Sequence, residues 1–333
     1  MGITALLTLG VIFVNGWTDA PNAIATCVAT RALSPRSAVL LAAVFNFLGV
    51  LSMSFINASV TATIQNIVNF SGDSRAASLA LCAALLAIVL WAVAAWCFGI
   101  PTSESHALIA GLSGAAMALQ GGFSGINGSE WIKVLYGLLL STLPAFVSGF
   151  GATRWIEKRL LHADRCKTAK RFRLAQIGGG AAMSFMHGAQ DGQKFMGVLL
   201  LCTALSGGAD SVSAAPPLWI ILLCSLVMSL GTSVGGYKII RSVGMNMVRL
   251  VPYQGLAADI AAAACLLISS LGGLPVSTTH TKASAILGVG ASKRRSAIHF
   301  HVVRDMVLTW LLTFPGCGLI GFLAARVFLA VFR

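Results

Sequence analysis

Apolar residues fill long, nearly uncharged stretches of this chain, and short polar segments separate them. Stretches of about 20 residues or more with few or no charges cover 37–56, 76–100, 216–235 and 302–332. An α-helix of about 20 residues rises about 30 Å, which is the thickness of the hydrocarbon core of a bilayer. Runs of this length favour helices over the shorter alternating segments of a membrane β-barrel. The pattern therefore predicts an all-α polytopic membrane protein.

The polar breaks divide the chain into an ordered series of predicted helices. In the first half these are a broken helix over 3–33 and helices over 37–56, 76–100, 106–120 and 131–153. In the second half they are helices over 174–206, 216–235, 251–274, 280–291 and 302–332. The two shortest follow prolines and are short for a full span. Each of these two either crosses the membrane or forms half of a re-entrant hairpin.

Four polar segments inside the apolar sequence form two similar pairs. Residues 15–22 (NGWTDAPN) resemble 187–194 (HGAQDGQK), and residues 99–106 (GIPTSESH) resemble 273–280 (GLPVSTTH). The offset along the chain is nearly the same for both pairs, from 19 to 191 in the first and from 106 to 280 in the second. Each segment contains glycine or proline, which predicts a broken helix at a binding site. The spacing indicates a duplicated unit, with 1–153 and 174–333 as repeats and 154–173 as a linker.

The formal net charge of +13 is distributed unevenly along the chain of 333 residues. Basic residues concentrate around 31–36, 154–173, 238–249 and 293–304, whereas 57–74, 121–130 and 207–215 hold almost none. The two sets alternate between predicted helices, so the positive-inside rule places the linker in the cytoplasm and the N-terminus outside the cell membrane. Orientation explains the charge without nucleic-acid binding. The odd number of crossings per half predicts inverted-topology repeats that meet at a midplane site.

Asp19 and Asp191 occupy equivalent places in the first pair of segments, with apolar sequence on both sides. A carboxylate at the centre of a bilayer costs on the order of 3 kcal/mol or more, so it needs a cation, a helix end or water beside it. Oxygen-bearing side chains of the kind that bind Na⁺ or protonated water surround the two carboxylates: Thr18, Asn22, Gln190 and Gln193. We therefore expect a cation site here, with helix capping by the aspartates as the alternative.

Hydroxyl groups mark the second pair of segments, after Pro101 and Pro275. They belong to Ser103, Ser105, Ser277, Thr278 and Thr279. Hydroxyl donors at the N-terminus of a half-helix, where backbone N–H groups are also free, form a favourable place for an oxyanion. The alternative for any one of them is a hydrogen bond to its own helix backbone. His106 and His280 end the segments, and we expect them to orient the two loops by hydrogen bonds.

At these four segments the chain resembles the inorganic phosphate transporter family, the PiT or Pho4 group of secondary transporters. The family patterns G-x-N-D-x-x-N-A and T-R-A-L are matched at 16–23 and 30–33, H-G-A-N-D-x-Q-K at 187–194, and P-x-S-x-[ST]-H at 101–106 and 275–280. The resemblance covers both halves, and the chain is similar in particular to bacterial low-affinity phosphate permeases, without the large cytoplasmic insert that some of them carry. It implies a symporter for inorganic phosphate, coupled to H⁺ or Na⁺, that is not an enzyme and has no cofactor beyond bound ions.

The chemistry of these residues and the resemblance together predict a role for each of the two groups of polar residues. Phosphate is expected at Ser103, Ser105, Ser277, Thr278, Thr279 and Lys194, and the coupling ion at Asp19, Asn22, Thr18, Asp191, Gln190 and Gln193. The sequence departs from the family pattern at Thr18 and Gln190, which replace asparagine, and at Glu104 in the first hydroxyl loop. Lys194 stands where the first repeat has Asn22, so its ammonium could fill the place of a cation and leave Glu104 to carry a proton. The alternative is that Lys194 snorkels to the interface and Glu104 caps a half-helix.

Other functions stay open at this level. A permease for sulfate or another oxyanion would use the same fold, and a passive anion channel would conduct without ion coupling. A hydrolase built from Ser277, His280 and Asp191 is disfavoured because duplicated sites of inverted polarity suit alternating access. Besides the bilayer and the ions, a homodimer with a second copy of the chain stays open.

Overall fold

The computed structural model describes residues 2–70, 73–205, 216–293 and 298–332, and most of them lie in helices. The first seven α-helices are α1 (Gly2–Thr18), α2 (Pro21–Ala29), α3 (Pro35–Ile56), α4 (Ser59–Gln65), α5 (Ser74–Phe98), α6 (Glu104–Gln120) and α7 (Gly128–Arg159). The others are α8 (Arg165–Leu205), α9 (Leu218–Val234), α10 (Tyr237–Arg241), α11 (Pro252–Leu271), α12 (Thr278–Lys293) and α13 (Phe300–Phe332). The external loop predicted over 207–215 lies outside the described residues.

Six helical segments of the described chain are long and apolar enough to cross a membrane. They are Gly2–Ala29, which joins α1 to α2, and α3, α5, α7, α11 and α13. A seventh results if α9 and the helical stretch Tyr237–Asn246, bent by 67°, form one span. The prediction of an all-α polytopic membrane protein is confirmed by this architecture. The inverted relation of the two halves stays a prediction.

The first polar motif breaks its helix, and the second does not. Asp19 and Ala20 separate α1 from α2, and Pro21 begins α2 at a position where the missing N–H has no helical partner. In the second repeat α8 runs without a break through 187–194. The break predicted there from its glycines is therefore wrong, because this segment contains no proline and Gly188 serves to pack the helix closely against α3.

Other differences from the predicted elements are local. Helix ends occupy most of the predicted linker, since α7 continues to Arg159 and α8 begins at Arg165. The short helices α4 and α10 were not predicted, because seven and five residues are too few to show a helical period. In α4, the hydroxyl of Thr61 donates to the carbonyl of Gln193 at 3.1 Å, so this helix braces α8 beside its polar motif.

The two halves of the chain pack against each other through helices that approach closely at glycine residues. An ideal Cβ on Gly114 of α6 would lie 2.0 Å from the carbonyl oxygen of Gly318 on α13, and one on Gly288 of α12 would lie 2.0 Å from that of Phe146 on α7. Small residues let membrane helices approach backbone to backbone. Each short helix that follows a hydroxyl loop is thus held by a long helix of the other half, and both are buried along nearly their whole length.

Gly49 makes the same kind of contact between α3 and α8, where an ideal Cβ would lie 2.0 Å from the carbonyl oxygen of Phe185. We expect Gly49→Leu to lower the free energy of unfolding by about 1–3 kcal/mol or more, because the backbone of α8 cannot move aside without disturbing the site. Thermal unfolding in detergent measures the change. Gly151→Leu is the matched control, since no atom lies within 4 Å of its ideal Cβ and the position is exposed. Equal midpoints for the two variants would contradict the packing argument.

Candidate functional site

Two serines at equivalent positions cap the helices that follow the hydroxyl loops. Ser103 Oγ accepts a hydrogen bond from the backbone N–H of His106 at 3.2 Å, and Ser277 Oγ accepts one from the N–H of His280 at 3.2 Å. A hydroxyl that accepts the capping bond keeps its own proton for another acceptor. The first turns of α6 and α12 therefore each present a hydroxyl donor beside backbone N–H groups that have no helical partner.

In the structure, Asp19 and Asp191 both contact the side chain of Thr278. Thr278 Oγ1 lies 3.3 Å from Asp19 Oδ2 and 3.1 Å from Asp191 Oδ2. Asp19 Oδ1 accepts hydrogen bonds from the hydroxyl of Thr279 and, at 2.6 Å, from Asn22 Nδ2. Both carboxylates are buried. Since Thr278 has a single proton to donate, its hydroxyl can satisfy only one of the two carboxylates at a time.

Lys194 neutralises one of these carboxylates. Its Nζ lies 2.6 Å from Asp191 Oδ1, 2.7 Å from Ser105 Oγ and 2.5 Å from the carbonyl oxygen of Val276. The three contacts match the three donors of an ammonium. Lys194 is fully buried, so it does not snorkel to the interface. It connects the first hydroxyl loop, the residue before Ser277 in the second, and α8.

Glu104 is the third carboxyl group at this centre. It is buried, and Oε1 accepts a hydrogen bond from the hydroxyl of Thr18 at the end of α1. Its other oxygen, Oε2, has no hydrogen-bond partner among the described residues. Ser103 rather than Glu104 caps α6, so capping does not explain the carboxyl group here.

Two predicted ligands, Gln190 and Gln193, hold loops instead of contacting the aspartates. Gln190 Nε2 donates to the carbonyl oxygen of Leu274 at 3.2 Å, and Gln193 Nε2 donates to that of Asn57 at 2.7 Å. Within the described chain, the Oε1 atoms of both have no hydrogen-bond partner. The two side chains therefore position the entry to the second hydroxyl loop and the end of α3.

The rings of His106 and His280 contact each other, with centroids 4.5 Å apart and an edge-to-face geometry. Phe314 stacks on His106 at 4.6 Å, and Trp310 lies 3.8 Å from His280. Both ring nitrogens of His280 and Nδ1 of His106 have no hydrogen-bond partner among the described residues. The loops are thus held together by ring packing against α13, in place of the expected side-chain hydrogen bonds.

Sequence reasoning missed His187 and Asn15, the first residues of the two polar motifs. His187 Nε2 lies 3.4 Å and Asn15 Nδ2 3.5 Å from Asp191 Oδ2. One ligand atom from each of Asp19, His187 and Asp191 lies within 4.8 Å of the others, so these side chains could hold a cation. Both residues open their polar segment, at positions 15 and 187, and this equivalence was the feature of the sequence that could have identified them.

A second buried ion pair, between Asp259 and Lys282, was also missed. Both side chains are fully buried, and each is the sole charged residue in the interior of its helix. An ionisable residue inside a membrane helix is by itself a sign of function. The pair has no counterpart in the first half, where the equivalent positions hold Leu85 and Leu108, so the repeated motifs give no signal for it.

The arrangement suits reversible binding of a small anion together with a cation. Hydroxyl and ammonium donors converge from both halves, and buried carboxyl groups lie beside them. A nucleophile needs a hydrogen-bonded base. Ser277 Oγ has the backbone N–H of His280 as its partner, while the imidazole nitrogens of His280 have none in the described chain. The geometry therefore does not support a hydrolase.

Known proteins support the same interpretation. Residues 15–321 match the sequence model of the phosphate transporter family. The chain is 37% identical to a probable low-affinity inorganic phosphate transporter of Bacillus subtilis (strain 168), over 100% of both chains. It is 36% identical to one of Mycobacterium tuberculosis (strain ATCC 25618 / H37Rv), over 96% of this chain and 75% of that protein.

A solved structure described as "The sodium-dependent phosphate transporter" has the same fold, with a TM-score of 0.89 and 22% identity over 99% of this chain and 98% of the other. These relatives are named as transporters and not as enzymes. The resemblance in the four motifs is confirmed by the match over nearly the whole sequence. The chain belongs to the phosphate transporter family.

Proposed function

We propose that this protein is a secondary symporter that imports inorganic phosphate together with protons by alternating access. The observation that carries the proposal is the buried ammonium of Lys194, which bonds Ser105 of the first hydroxyl loop and the carbonyl of Val276 at the start of the second. A cation between two sets of hydroxyl donors is a site for an oxyanion. The names of the relatives support phosphate as that oxyanion.

Phosphate in this proposal lies between the N-terminal ends of α6 and α12. Its oxygens accept hydrogen bonds from Ser103, Ser105, Ser277, Thr278 and Thr279 and from the backbone N–H groups of the two first turns. Asp19 and Asp191 are acceptors in the same place. Phosphate carries a proton that it can donate to a carboxylate, whereas sulfate at neutral pH carries none. The carboxylates therefore favour phosphate over sulfate.

The charges at the centre require that a cation enters with the anion. Asp19, Asp191 and Glu104 contribute three negative charges when ionised, and Lys194 contributes one positive charge. Two unit charges about 4 Å apart repel by about 4 kcal/mol at an effective dielectric constant of 20. An oxyanion is thus repelled until cations compensate the two remaining carboxylates.

Lys194 reduces the number of sites that are open to an external cation. Its ammonium already occupies the bonding position at Asp191, where the first repeat offers Asn22 and Asp19 to an external ion. One site for an external cation therefore remains at Asp19. Glu104, whose Oε2 has no partner within the described residues, is the group that accepts a transported proton beside the phosphate loop.

The proposed transporter has a defined orientation in the membrane. The halves 1–153 and 174–333 act as inverted repeats, with the linker 154–173 on the cytoplasmic side of the cell membrane and the N-terminus outside. The distribution of basic residues supports this orientation.

Uptake of radiolabelled phosphate into proteoliposomes tests the function, with Na⁺ and pH gradients imposed separately and sulfate as competitor. We expect a pH gradient, acidic on the side of entry, to drive accumulation above the external concentration. Flux that never exceeds equilibrium would indicate a passive channel. Stronger inhibition by sulfate than by unlabelled phosphate would indicate a different oxyanion.

The carboxylates at the centre should be indispensable for coupling. We expect Asp19→Asn or Asp191→Asn to abolish concentrative uptake, because each removes the charge that binds a cation or holds Lys194 in place. Uptake against a gradient is the measurement, and elution as a single species in detergent shows that the variant is folded. Asp305→Asn is the control, since this carboxylate is exposed on α13. Wild-type accumulation in either site variant would rule out the assignment.

Loss of a single hydroxyl should weaken phosphate binding. A hydrogen bond to a charged group contributes about 1.5–3 kcal/mol, so Ser277→Ala or Thr278→Ala should raise the apparent KM for phosphate roughly 10- to 150-fold. Initial rates over a phosphate series give this value. Ser225→Ala removes a buried hydroxyl of α9 that bonds its own helix and should leave KM unchanged. Alanine at all five hydroxyl positions with an unchanged KM would place the anion elsewhere.

Glu104→Gln should flatten the pH dependence of uptake without eliminating phosphate exchange, because glutamine keeps a hydrogen-bonding side chain but cannot release a proton. Uptake and exchange across a pH series show the difference. Glu130→Gln, in a pair with Lys133 at the start of α7, serves as the matched control. An unaltered pH profile together with strict dependence on two or more Na⁺ per phosphate would contradict proton coupling.

A further inference from the structure

The buried ion pair of Asp259 and Lys282 ties four helices together away from the phosphate loops. Lys282 Nζ pairs with Asp259 and also lies 3.1 Å from the carbonyl oxygen of Ala23 and 3.2 Å from Thr26 Oγ1 on α2. Asp259 accepts further hydrogen bonds from Thr26 Oγ1 at 2.7 Å and from Gln176 Nε2 of α8 at 2.5 Å. Every donor of the ammonium is therefore satisfied, and the carboxylate has three donors.

This cluster lies one helical turn beyond the phosphate and cation site. Thr26 follows Asn22 by four residues on α2, and Lys282 follows Thr278 by four residues on α12. Both helices run from the site towards basic residues, Arg31 just after α2 and Lys293 at the end of α12. The cluster is thus on the side of the site that faces the basic segments.

A cavity of about 770 Å³ lies on the far side of the cluster, at the same basic end. Its wall includes Phe172 of α8, one turn before Gln176, and Tyr253 of α11, less than two turns before Asp259. Lys293 also lines it. Along α8 and α12, the Asp259–Lys282 cluster therefore lies between the buried site and this cavity.

The residues of the first half that correspond to this cluster, and that form the barrier on the other side of the site, carry no charge. The positions that correspond to Asp259 and Lys282 are Leu85 and Leu108, and Thr26 corresponds to Val198 in the second repeat. All three apolar residues belong to one buried cluster. A buried ion pair is seldom more stabilising than well-packed apolar residues of similar size. Since the same fold closes the other barrier with leucines, stability alone does not explain the charges.

We propose that Asp259 and Lys282 form an ion-pair gate on the basic side, which inorganic phosphate opens on leaving the site by replacing Asp259 as the acceptor for Lys282. In the exchange the ammonium gains an oxyanion as its acceptor, while Asp259 keeps its two hydrogen bonds from Thr26 and Gln176. Lys282 is one turn from Thr278, so phosphate moves between adjacent donors. The inference rests on the proposed function and adds a second, transient oxyanion site to it.

Cys27 is a native reporter of this gate. It is fully buried, and its thiol donates to the carbonyl oxygen of Gln176 at 3.3 Å. In a variant with Cys27 as the single cysteine, a charged, membrane-impermeant thiol reagent is added to either side of proteoliposomes. We expect modification from the basic side to become about tenfold faster or more during phosphate transport, because an open gate admits the reagent.

A variant with Cys224 as the single cysteine is the control, because this thiol is equally buried on α9, away from the cluster. Its modification should not respond to phosphate. A rate at Cys27 that is independent of phosphate, in proteoliposomes that transport phosphate, would overturn the gate. Absence of phosphate transport would instead contradict the proposed function.

A second variant replaces the ion pair with the leucines that the first half has at the equivalent positions. Asp259→Leu combined with Lys282→Leu should fold, since it replaces the pair as a unit and leaves no unpaired buried charge. We expect it to bind phosphate with a Kd within about threefold of the wild type and to lose phosphate uptake by about tenfold or more, because no cation draws the anion from its site. Unchanged uptake, or loss of binding together with uptake, would overturn the proposal. If this variant does not fold, the reactivity of Cys27 in the otherwise intact protein still decides.

Discussion

The bond between Lys194 and Asp191 is the interaction on which the centre of this protein depends. It places a full positive charge between two sets of hydroxyl groups, in a buried position where an ammonium without a partner would be strongly destabilising. The same bond leaves Asp19 and Glu104 without a resident cation. Under the proposed function, this one ion pair makes the site attractive to an anion and obliges that anion to bring positive charge with it.

The packing of the helices makes this centre possible. Buried hydroxyls and amides must find partners, and close glycine contacts bring them within reach. Ser103 and Ser277 each serve two purposes, since each caps a helix and still keeps a proton to donate. Because α6 is packed on α13 and α12 on α7, the two hydroxyl loops cannot separate without movement of both halves.

Equivalent positions of the two halves carry different chemistry. Asn22 in one copy corresponds to Lys194 in the other, and the leucines at 85 and 108 correspond to the Asp259–Lys282 pair. A symmetric site would bind its ligands in the same way from both sides. With the proposed gate, these charge differences give transport a direction, since one side of the site has a buried ion pair and the equivalent positions of the other half have apolar side chains.

The sequence alone determined the helical membrane class and the family, and it predicted most residues of the candidate site, because long apolar runs have a single stable use and the four motifs recur at fixed spacing. It did not show that 187–194 continues as helix, since the role of Gly188 depends on the α3 backbone against it. Nor did it predict that Asp259 pairs with Lys282, or that His187 lies beside Asp191. Which buried charge pairs with which depends on side chains from separate helices meeting in a medium that leaves no ion unpaired, and only the tertiary structure decided that.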